Sequence, residues 1–334
     1  MTIEEVIKKY FPEATDASFE RFGDGATNIT YKVSIGEGDK KNEYILQKMN
    51  SSFDSLVMQD IWAVTEYLAD EGFLTQRVVK TFSGELFLSD GEVWWKMLTF
   101  IPGKILSNVS SVAQAKEAGK LVGSFHKALI NFKYEFQYQI PHFHDTDFII
   151  KKLNQTLIEN EVGEKYPHLK VLAGEVFDLY AELPKKVDLP TRVIHGDLKI
   201  TNVIFNERGE KALALADLDT LMESTIAVEL GDALRSWCMP GGEDTHEVRF
   251  DKDVYDNALS GYFSTADFLT PAEKESIPYG VKLITLELSA RFITDAFNEN
   301  YWVLDSSKYE SLYEQNKKRA ENQIAFLKEF KKYF

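Results

Sequence analysis

Two short stretches decide how this chain is interpreted: His195-Gly-Asp-Leu-Lys-Ile-Thr-Asn202 and Ala216-Asp-Leu-Asp-Thr220. Asp197 and Asn202 are five residues apart in a loop that leads into a β-like run, and Asp217 ends the next such run. A loop, strand, turn and strand in this order would bring the three side chains to one cleft. A carboxylate and an amide oxygen suit Mg²⁺ on nucleotide phosphates, while a second carboxylate can contact an attacking hydroxyl. The stretches therefore predict metal-dependent phosphoryl transfer.

The sequence pattern of the first hundred residues is mostly typical of β-strands. Thr2 and Glu5 form a capping-box pattern that opens a short helix, and helical periodicity also covers residues 54–71. Short runs bounded by turn residues are typical of antiparallel strands. These runs cover residues 18–22, 29–35, 44–49, 77–81, 85–88 and 93–100.

Beyond Pro102-Gly103 the sequence pattern is mostly typical of α-helices. The predicted helices cover residues 110–131, 146–160, 169–183, 252–264, 271–298 and 306–332. They are interrupted at residues 192–219, which contain two β-like runs at 203–205 and 213–216. We therefore predict an α+β bilobal fold, with a small antiparallel-sheet lobe over residues 1–100 and a larger, mainly helical lobe over 101–334.

Composition excludes several classes of protein. The 334 residues carry 38 Lys+Arg against 53 Asp+Glu, a net charge of −15, which argues against a duplex nucleic-acid or anionic-membrane partner. The apolar fraction of 44% is enough to fill the cores of two lobes. Cys238 is the only cysteine, so an intrachain disulfide and a Cys-based zinc site are excluded. The sequence shows no apolar run of membrane-spanning length and no signal-peptide pattern near its start, so we expect a cytoplasmic protein.

The motifs also resemble a known family. The D-x4-N spacing resembles the protein-kinase catalytic loop, and the D-x-D stands where kinases have D-F-G. The chain as a whole resembles the aminoglycoside phosphotransferase/choline kinase superfamily, which shares the protein-kinase-like fold, and within it the N-acetylhexosamine 1-kinases. Besides the two stretches quoted above, the matching segments are Gly23-Asp-Gly-Ala-Thr-Asn-Ile-Thr-Tyr31, Tyr44-Ile-Leu-Gln-Lys-Met-Asn50, His142-Phe-His-Asp-Thr146, Gly231-Asp-Ala-Leu-Arg235 and Arg291-Phe-Ile-Thr-Asp295.

The resemblance implies an activity, cofactors and roles. It implies a kinase that uses ATP and Mg²⁺ and phosphorylates the anomeric hydroxyl of a sugar such as GlcNAc or GalNAc. Asp197 would be the catalytic base, and Asn202 and Asp217 would hold the metal. Gly196 stands where protein kinases have Arg, and no A-P-E motif follows, so a protein substrate is disfavoured.

The nucleotide contacts are predicted in three places. A Gly-rich loop on the first hairpin would cover the phosphates, the third long run of the small lobe would supply a polar or cationic group, and the connection at residues 97–103 would bind adenine. The candidates are Gly23, Asp24, Gly25, Asn28, Gln47, Lys48, Met97, Thr99 and Phe100.

The cation expected near the phosphates has two candidate positions. Gln47 and Lys48 are adjacent, so they face opposite sides of any strand and only one can enter the cleft. The resemblance favours Gln47, whereas charge favours Lys48. The acid that would pair with this cation is also open, since the 54–71 helix offers both Asp60 and Glu66.

The acceptor site is predicted from scattered residues. The candidate substrate contacts are Asp197, His144, Asp219, Arg291 and Tyr301. Two histidines and one acid at 142–145 lack the accompanying pattern of a zinc site, so a pocket or packing role is favoured. Arg291 could equally form a helix salt bridge, and Tyr301 could equally belong to the core.

Other functions fit parts of the sequence. Choline, homoserine or an aminoglycoside could be the acceptor, and the negative charge suits a cationic aminoglycoside. A catalytically silent nucleotide-binding protein is a further alternative. The joint presence of Asp197, Asn202 and Asp217 counts against it, because a binding module does not need the base.

Overall fold

A five-stranded antiparallel sheet dominates the N-terminal part of the computed structural model, which describes residues 1–23, 28–38, 41–49, 54–91, 93–184 and 188–334. The strand order is β1-β2-β3-β5-β4. The elements here are α1 (Ile3–Tyr10), β1 (Ala17–Arg21), β2 (Ile29–Ile35), β3 (Asn42–Lys48), α2 (Val57–Asp70), β4 (Leu88–Ser89) and β5 (Trp94–Thr99). The capping box at Thr2 and Glu5 opens α1, as predicted.

The two faces of this sheet pack against different helices. Leu46 on β3 and Met97 on β5 belong to the apolar cluster shared with α1. Ile45 and Leu98, which are paired across the two strands, instead join the large core that includes α2. Because successive side chains alternate between faces, Gln47 follows Ile45 to the α2 side.

The C-terminal part is mainly helical. Its elements are β6 (Lys104–Ile105), α3 (Val112–Ala128), α4 (Thr146–Glu159), α5 (Tyr166–Ala181), β7 (Arg192–Ile194), β8 (Val203–Phe205), β9 (Ala212–Leu215), β10 (Met222–Ser224), α6 (Ile226–Trp237), α7 (Lys252–Phe263), α8 (Pro271–Glu275), α9 (Ile277–Asn298) and α10 (Leu312–Phe330). Two small sheets, β6-β8-β9 and β10-β7, lie among the helices. The α+β prediction, with an antiparallel-sheet N-terminal part and a helical C-terminal part, is confirmed.

Helices α6 and α9 lie unusually close together. A Cβ placed on Gly280 would lie 1.8 Å from the carbonyl oxygen of Ala227, so no larger residue fits without moving a backbone. This contact fixes α6, which carries Glu229 and Asp232, against α9, which carries Glu287. The charged residues of both helices are thereby brought beneath the β7–β8 loop.

Some predicted elements differ from the structure. The 271–298 helix is divided into α8 and α9 at Ser276, and residues 77–81 form one isolated bridge, Val78 to Leu98, instead of a strand. Helix α6 was not predicted, although Glu229, Asp232 and Arg235 recur every three residues along one side of it; these charged residues are buried together with the apolar ones. Strands β6, β7 and β10 are too short to give a pattern. Division of the chain into lobes at residue 100 stays a prediction.

Within the described ranges, no helix is long and apolar enough to cross a membrane.

Candidate active site

The loop after β7 holds Asp197 and Asn202 together. Gly196 has a φ of 81°, and a Cβ there would lie 2.6 Å from the carbonyl oxygen of Thr220, so the turn requires glycine. The Asn202 amide donates to the Asp197 carbonyl at 2.8 Å and to Asp197 Oδ2 at 3.3 Å. The loop is therefore closed by the same two residues that the sequence singled out.

His195 connects this loop to the next one. Its Nδ1 accepts a hydrogen bond from the Asp197 amide at 3.3 Å, so Nε2 carries the hydrogen that is donated to the Ala216 carbonyl at 2.8 Å. Ala216 directly precedes Asp217. The buried imidazole thus fixes the relative positions of the two loops that carry Asp197 and Asp217.

The charge pattern around Asp217 fits a divalent cation. Asp217 adopts a left-handed conformation, with φ 61° and ψ 56°, a strained geometry that is common at functional turns. Desolvation within the cleft, with the carboxylates of Asp219 and Asp197, raises the pKa of Asp217 to about 6. A bound cation would relieve this repulsion between carboxylates. Asp217 and Asn202 are the oxygen donors suited to hold it.

Lys199 is a site residue that the sequence reading missed. Its Nζ lies 2.9 Å from Asp197 Oδ2, and although burial lowers the pKa of Lys199, the nearby Asp197 carboxylate raises it above the usual value. Lys199 therefore supplies a positive charge next to the predicted base. The signal was present, because the residue lies inside the quoted 195–202 stretch.

His144 forms a hydrogen bond with the backbone of the 195–202 loop. Nε2 donates to the Gly196 carbonyl at 2.8 Å, and Nδ1 lies 3.1 Å from Glu287 on α9. Burial alone would lower the pKa of His144, but the Glu287 carboxylate and its hydrogen bond raise it to about 9. Both ring nitrogens are thus engaged by protein, and the side chain is only 5% exposed. This geometry makes His144 a residue that positions the Gly196–Asp197 backbone.

Asp219 faces the N-terminal sheet. Its Oδ1 accepts from the Lys96 ammonium and its Oδ2 accepts from the Asn28 amide at 3.3 Å. Lys96 is on β5 and is 1% exposed. Predicted as a substrate contact, Asp219 instead has both oxygens bound to residues of the sheet part. Lys96 was not predicted, although a single charge inside the apolar run Trp94-Trp-Lys-Met-Leu98 was a signal.

The two candidate positions on β3 face different ways. Gln47 donates to the Thr30 hydroxyl at 3.1 Å, on the α2 side of the sheet. Lys48 faces the other side, where its Nζ lies 5.8 Å from the centre of the Trp95 ring. Of the two positions, Gln47 is thus the one turned toward the cleft.

Neither Asp60 nor Glu66, the two candidate acids of α2, pairs with a lysine of the sheet. Asp60 is fully buried and accepts from the backbone amides of Gln137 and Tyr138, at 2.8 and 3.0 Å. Glu66 binds Arg77 through two hydrogen bonds. Both acids therefore secure neighbouring loops.

The remaining nucleotide candidates are placed as follows. Met97 is fully buried in the cluster that includes α1. The backbone of Thr99 bonds to Gln76 and Arg77, and the Phe100 amide donates to the Glu43 carbonyl at 3.1 Å. Gly23, with φ 71°, is the last described residue before the Gly-rich loop, and Asp24 and Gly25 lie outside the described residues.

A cavity of about 180 Å³ lies beside the 195–202 loop. Its walls include Phe143, Arg291, Thr294, Tyr301 and Trp302. A Cβ on Gly196 would lie 3.4 Å from the Phe143 ring, so Phe143 separates the cavity from the loop. The Arg291 guanidinium lies between 5.0 and 5.9 Å from the centres of the three aromatic rings and donates to the Tyr301 hydroxyl at 2.6 Å.

Two polar residues on α9 differ in their availability to a ligand. Asp295 accepts from the amides of Asn300, Tyr301 and Trp302 and from Asn316, so its oxygens order the loop after α9. The Thr294 hydroxyl is buried and has no hydrogen-bond partner among the residues that the structure describes. A buried unpaired hydroxyl in a cavity wall is a group that a ligand could satisfy. Thr294 lies inside the 291–295 segment quoted above, but it was not singled out there.

The family model described as the phosphotransferase enzyme family matches residues 18–262. The match spans most of the chain, including the sheet, the 195–202 loop and helix α6. The chain therefore belongs to the phosphotransferase enzyme family, which confirms the superfamily resemblance.

Solved structures from the same group share the fold. An aminoglycoside phosphotransferase from Alicyclobacillus acidocaldarius is 15% identical with a TM-score of 0.63, over 99% of this chain and 96% of that one. A microcompartment-associated aminopropanol kinase is 14% identical with a TM-score of 0.67, over 98% and 96%. An amicoumacin kinase, in complex with AMP-PNP, Ca²⁺ and Ami, is 15% identical with a TM-score of 0.61, over 96% and 94%. These neighbours share the fold, and the family identifies the chain as a phosphotransferase.

Proposed function

We propose that this phosphotransferase is a small-molecule kinase that uses ATP and Mg²⁺ to phosphorylate the anomeric hydroxyl of an N-acetylhexosamine, GlcNAc or GalNAc. The observation that carries the proposal is the cavity beside the catalytic loop, where Arg291 and the unpaired Thr294 hydroxyl stand among aromatic rings. Apolar ring faces suit the C–H face of a sugar, and convergent polar groups suit its hydroxyls.

Asp197 is proposed as the base that accepts the hydroxyl proton. Asn202 and Lys199 both contact its Oδ2, which fixes the carboxylate and leaves Oδ1 as the oxygen assigned to the substrate. Phosphoryl transfer has a loose transition state, so positioning and charge neutralisation outweigh base strength. Lys199 supplies positive charge beside the reacting oxygen.

The nucleotide and the metal ion are proposed to bind at the same site. A kinase neighbour holds AMP-PNP and Ca²⁺, which supports an adenine nucleotide and a divalent cation here. Asn202 and Asp217 would hold the Mg²⁺ ion, which neutralises charge on the phosphates when bound. His195 keeps Asp217 in register with Asp197 through the Ala216 carbonyl.

Other acceptors of the same superfamily are the alternative. The neighbours named above include an aminopropanol kinase and an aminoglycoside phosphotransferase, so choline, homoserine and aminoglycosides belong in any test. The Arg291 guanidinium argues against a cationic acceptor in this cavity, because like charges repel. A silent nucleotide-binding role fits poorly with the retained base and its contacts to Asn202 and Lys199.

A screen of ATP consumption tests the proposal. The purified protein is supplied with MgATP and with GlcNAc, GalNAc, choline, homoserine or an aminoglycoside, and the Asp197→Asn variant reports background hydrolysis. We expect turnover with one of the N-acetylhexosamines. Turnover with choline, homoserine or an aminoglycoside alone would support the alternative, and ATP binding without any turnover would support the silent role.

A further inference from the structure

We propose that Lys96 on β5 is the lysine that contacts the nucleotide phosphates in this protein, in place of a lysine on β3. The inference rests on the proposed use of a nucleotide and does not depend on which acceptor is phosphorylated. Lys96 is a buried lysine of β5, whereas the sequence predicted the phosphate-binding cation on β3.

The strand register brings Lys96 to the required place. Gln47 on β3 and Lys96 on β5 are directly opposite each other in the antiparallel ladder. Opposite residues of such a ladder point to the same face, so Lys96 shares the cleft-facing side with Gln47. The lysine of β3 itself, Lys48, is on the reverse side next to Trp95. The lysine on the cleft side of the sheet is therefore on β5, the strand next to β3.

The ion-pair partner of Lys96 lies close in sequence to the predicted metal ligand Asp217. Lys96 forms an ion pair with Asp219, two residues beyond Asp217, and both side chains are almost fully buried. Asn28 donates to the other oxygen of Asp219, and Asn28 lies at the end of the Gly-rich loop. Lys96 thus stands between the sheet and the turn of Asp217, and Asn28, just before β2, contacts the same carboxylate.

The ion pair with Asp219 leaves N–H donors of Lys96 for a further hydrogen-bond acceptor. A lysine ammonium has three N–H donors, and the contact with Asp219 uses one of them. Asp60 and Glu66, the two candidate acids of α2, are both engaged by other groups, so neither is the counterion of Lys96. A buried ion pair is a weak source of stability compared with apolar packing, so the stability of the sheet does not by itself explain a lysine here. Phosphate oxygens would occupy the remaining donors.

Binding of a series of nucleotides tests the role of Lys96. Calorimetry compares ATP, ADP, AMP and adenosine, at constant Mg²⁺, on the unchanged protein and on Lys96→Met. We expect ATP affinity to fall about 10- to 100-fold, because a hydrogen bond to a charged group is lost. The loss should shrink as phosphates are removed, and adenosine affinity should stay within about twofold. An equal loss for adenosine and ATP would show a purely structural role and would overturn the proposal.

A charge-swap variant guards against misfolding of Lys96→Met. In Gln47→Lys/Lys96→Gln the cation moves to the opposite residue of the same ladder pair. We expect this double variant to bind ATP more tightly than Lys96→Gln alone, while Lys80→Met, at an exposed lysine stacked on Trp62, serves as the matched control. No recovery in a folded double variant would contradict the proposal.

The outcomes also separate this inference from the proposed function. If the unchanged protein binds no nucleotide, the proposed function fails and the inference fails with it. If the unchanged protein binds ATP and Lys96→Met binds it equally well, only the inference is overturned. Loss of ATP affinity in Lys48→Met, with none in Lys96→Met, would return the role to β3.

Discussion

Glu229 on α6 accepts hydrogen bonds from the backbone amides of His195 and Gly196, at 2.8 and 2.9 Å. The same carboxylate contacts the His126 ring at 3.0 Å. Burial alone would raise the pKa of Glu229, but the hydrogen bond and charge of His126 lower it below its usual value. One buried carboxylate therefore supports the two residues that precede the predicted base.

Glu229→Ala should damage both stability and turnover. The change leaves two buried amides without an acceptor, and each unsatisfied group costs about 1–3 kcal/mol. We expect a loss of several kcal/mol in the free energy of unfolding, measured with urea, and a fall in kcat larger than the change in nucleotide affinity. Glu223→Ala, at an exposed glutamate on β10, is the control and should stay within about 0.5 kcal/mol. Equal behaviour of the two variants would show that Glu229 does not support the loop.

His144 should make stability depend on pH. Its folded pKa of about 9 lies above the ordinary value of 6.5, so the protonated ring stabilises the folded state. This contribution is fully present below about pH 6.5 and is lost as the pH rises through 9, and it amounts to roughly 1–3 kcal/mol. The carboxylates that face the ring are Glu287 and Asp232.

Comparison with His144→Gln isolates that contribution. Glutamine can still donate to the Gly196 carbonyl but does not titrate. We expect the difference in unfolding free energy between the two proteins to be largest near pH 6 and to shrink toward pH 9. A difference that stays constant from pH 6 to 9.5 would show that the ring does not change its charge in this range.

Asp217→Ala should remove the Mg²⁺ dependence of nucleotide binding. In the unchanged protein we expect Mg²⁺ to tighten ATP binding at least tenfold, because the ion is held by Asp217 and Asn202 as well as by the phosphates. The variant should show little tightening, while its affinity for free sugar should stay the same. Calorimetry with and without Mg²⁺ measures both. Full recovery at moderate Mg²⁺ would identify another acid, such as Asp219, as the principal ligand.

Thr294→Val should weaken sugar binding without loss of stability. Its buried hydroxyl has no partner in the parts of the chain that the structure describes, so its removal costs the folded protein no hydrogen bond. We expect KM for the sugar to rise about 3- to 10-fold, with kcat nearly unchanged. Thr285→Val on the same helix is the matched control, since that hydroxyl donates to the Val281 carbonyl at 2.6 Å. It should lower stability and leave KM unchanged; an unchanged KM in Thr294→Val would remove this hydroxyl from the sugar site.

Local patterns predicted much of the fold. The alternation at residues 29–35 matches β2, the short apolar run at 203–205 matches β8, and the capping box at Thr2 opens α1. These features depend on neighbouring residues, so a single sequence contains them. Helix α6 was missed, although Glu229, Asp232 and Arg235 recur at the three-residue spacing of one helix face, so its local pattern was present but not used.

The site was predictable only where it is local in sequence. Asp197 and Asn202 are close in the chain, and the structure brings them into contact. The position of Lys96 depends on the register between β3 and β5, and the support from Glu229 depends on how α6 packs. The lone charge in the apolar run at 94–98 marks Lys96 as unusual, but the partners of Lys96 and Glu229 depend on packing between distant segments, which one sequence does not show.

The central claim is that ATP and an N-acetylhexosamine yield the sugar 1-phosphate, and the fate of the reducing end measures this most directly. With GlcNAc or GalNAc and MgATP, we expect the free reducing end to disappear in step with ADP formation. Asp197→Asn should slow both by about 10²–10⁴, the range typical of a positioned general base. The claim is contradicted if ADP forms while the reducing end survives, since phosphorylation at another hydroxyl leaves the anomeric carbon reactive.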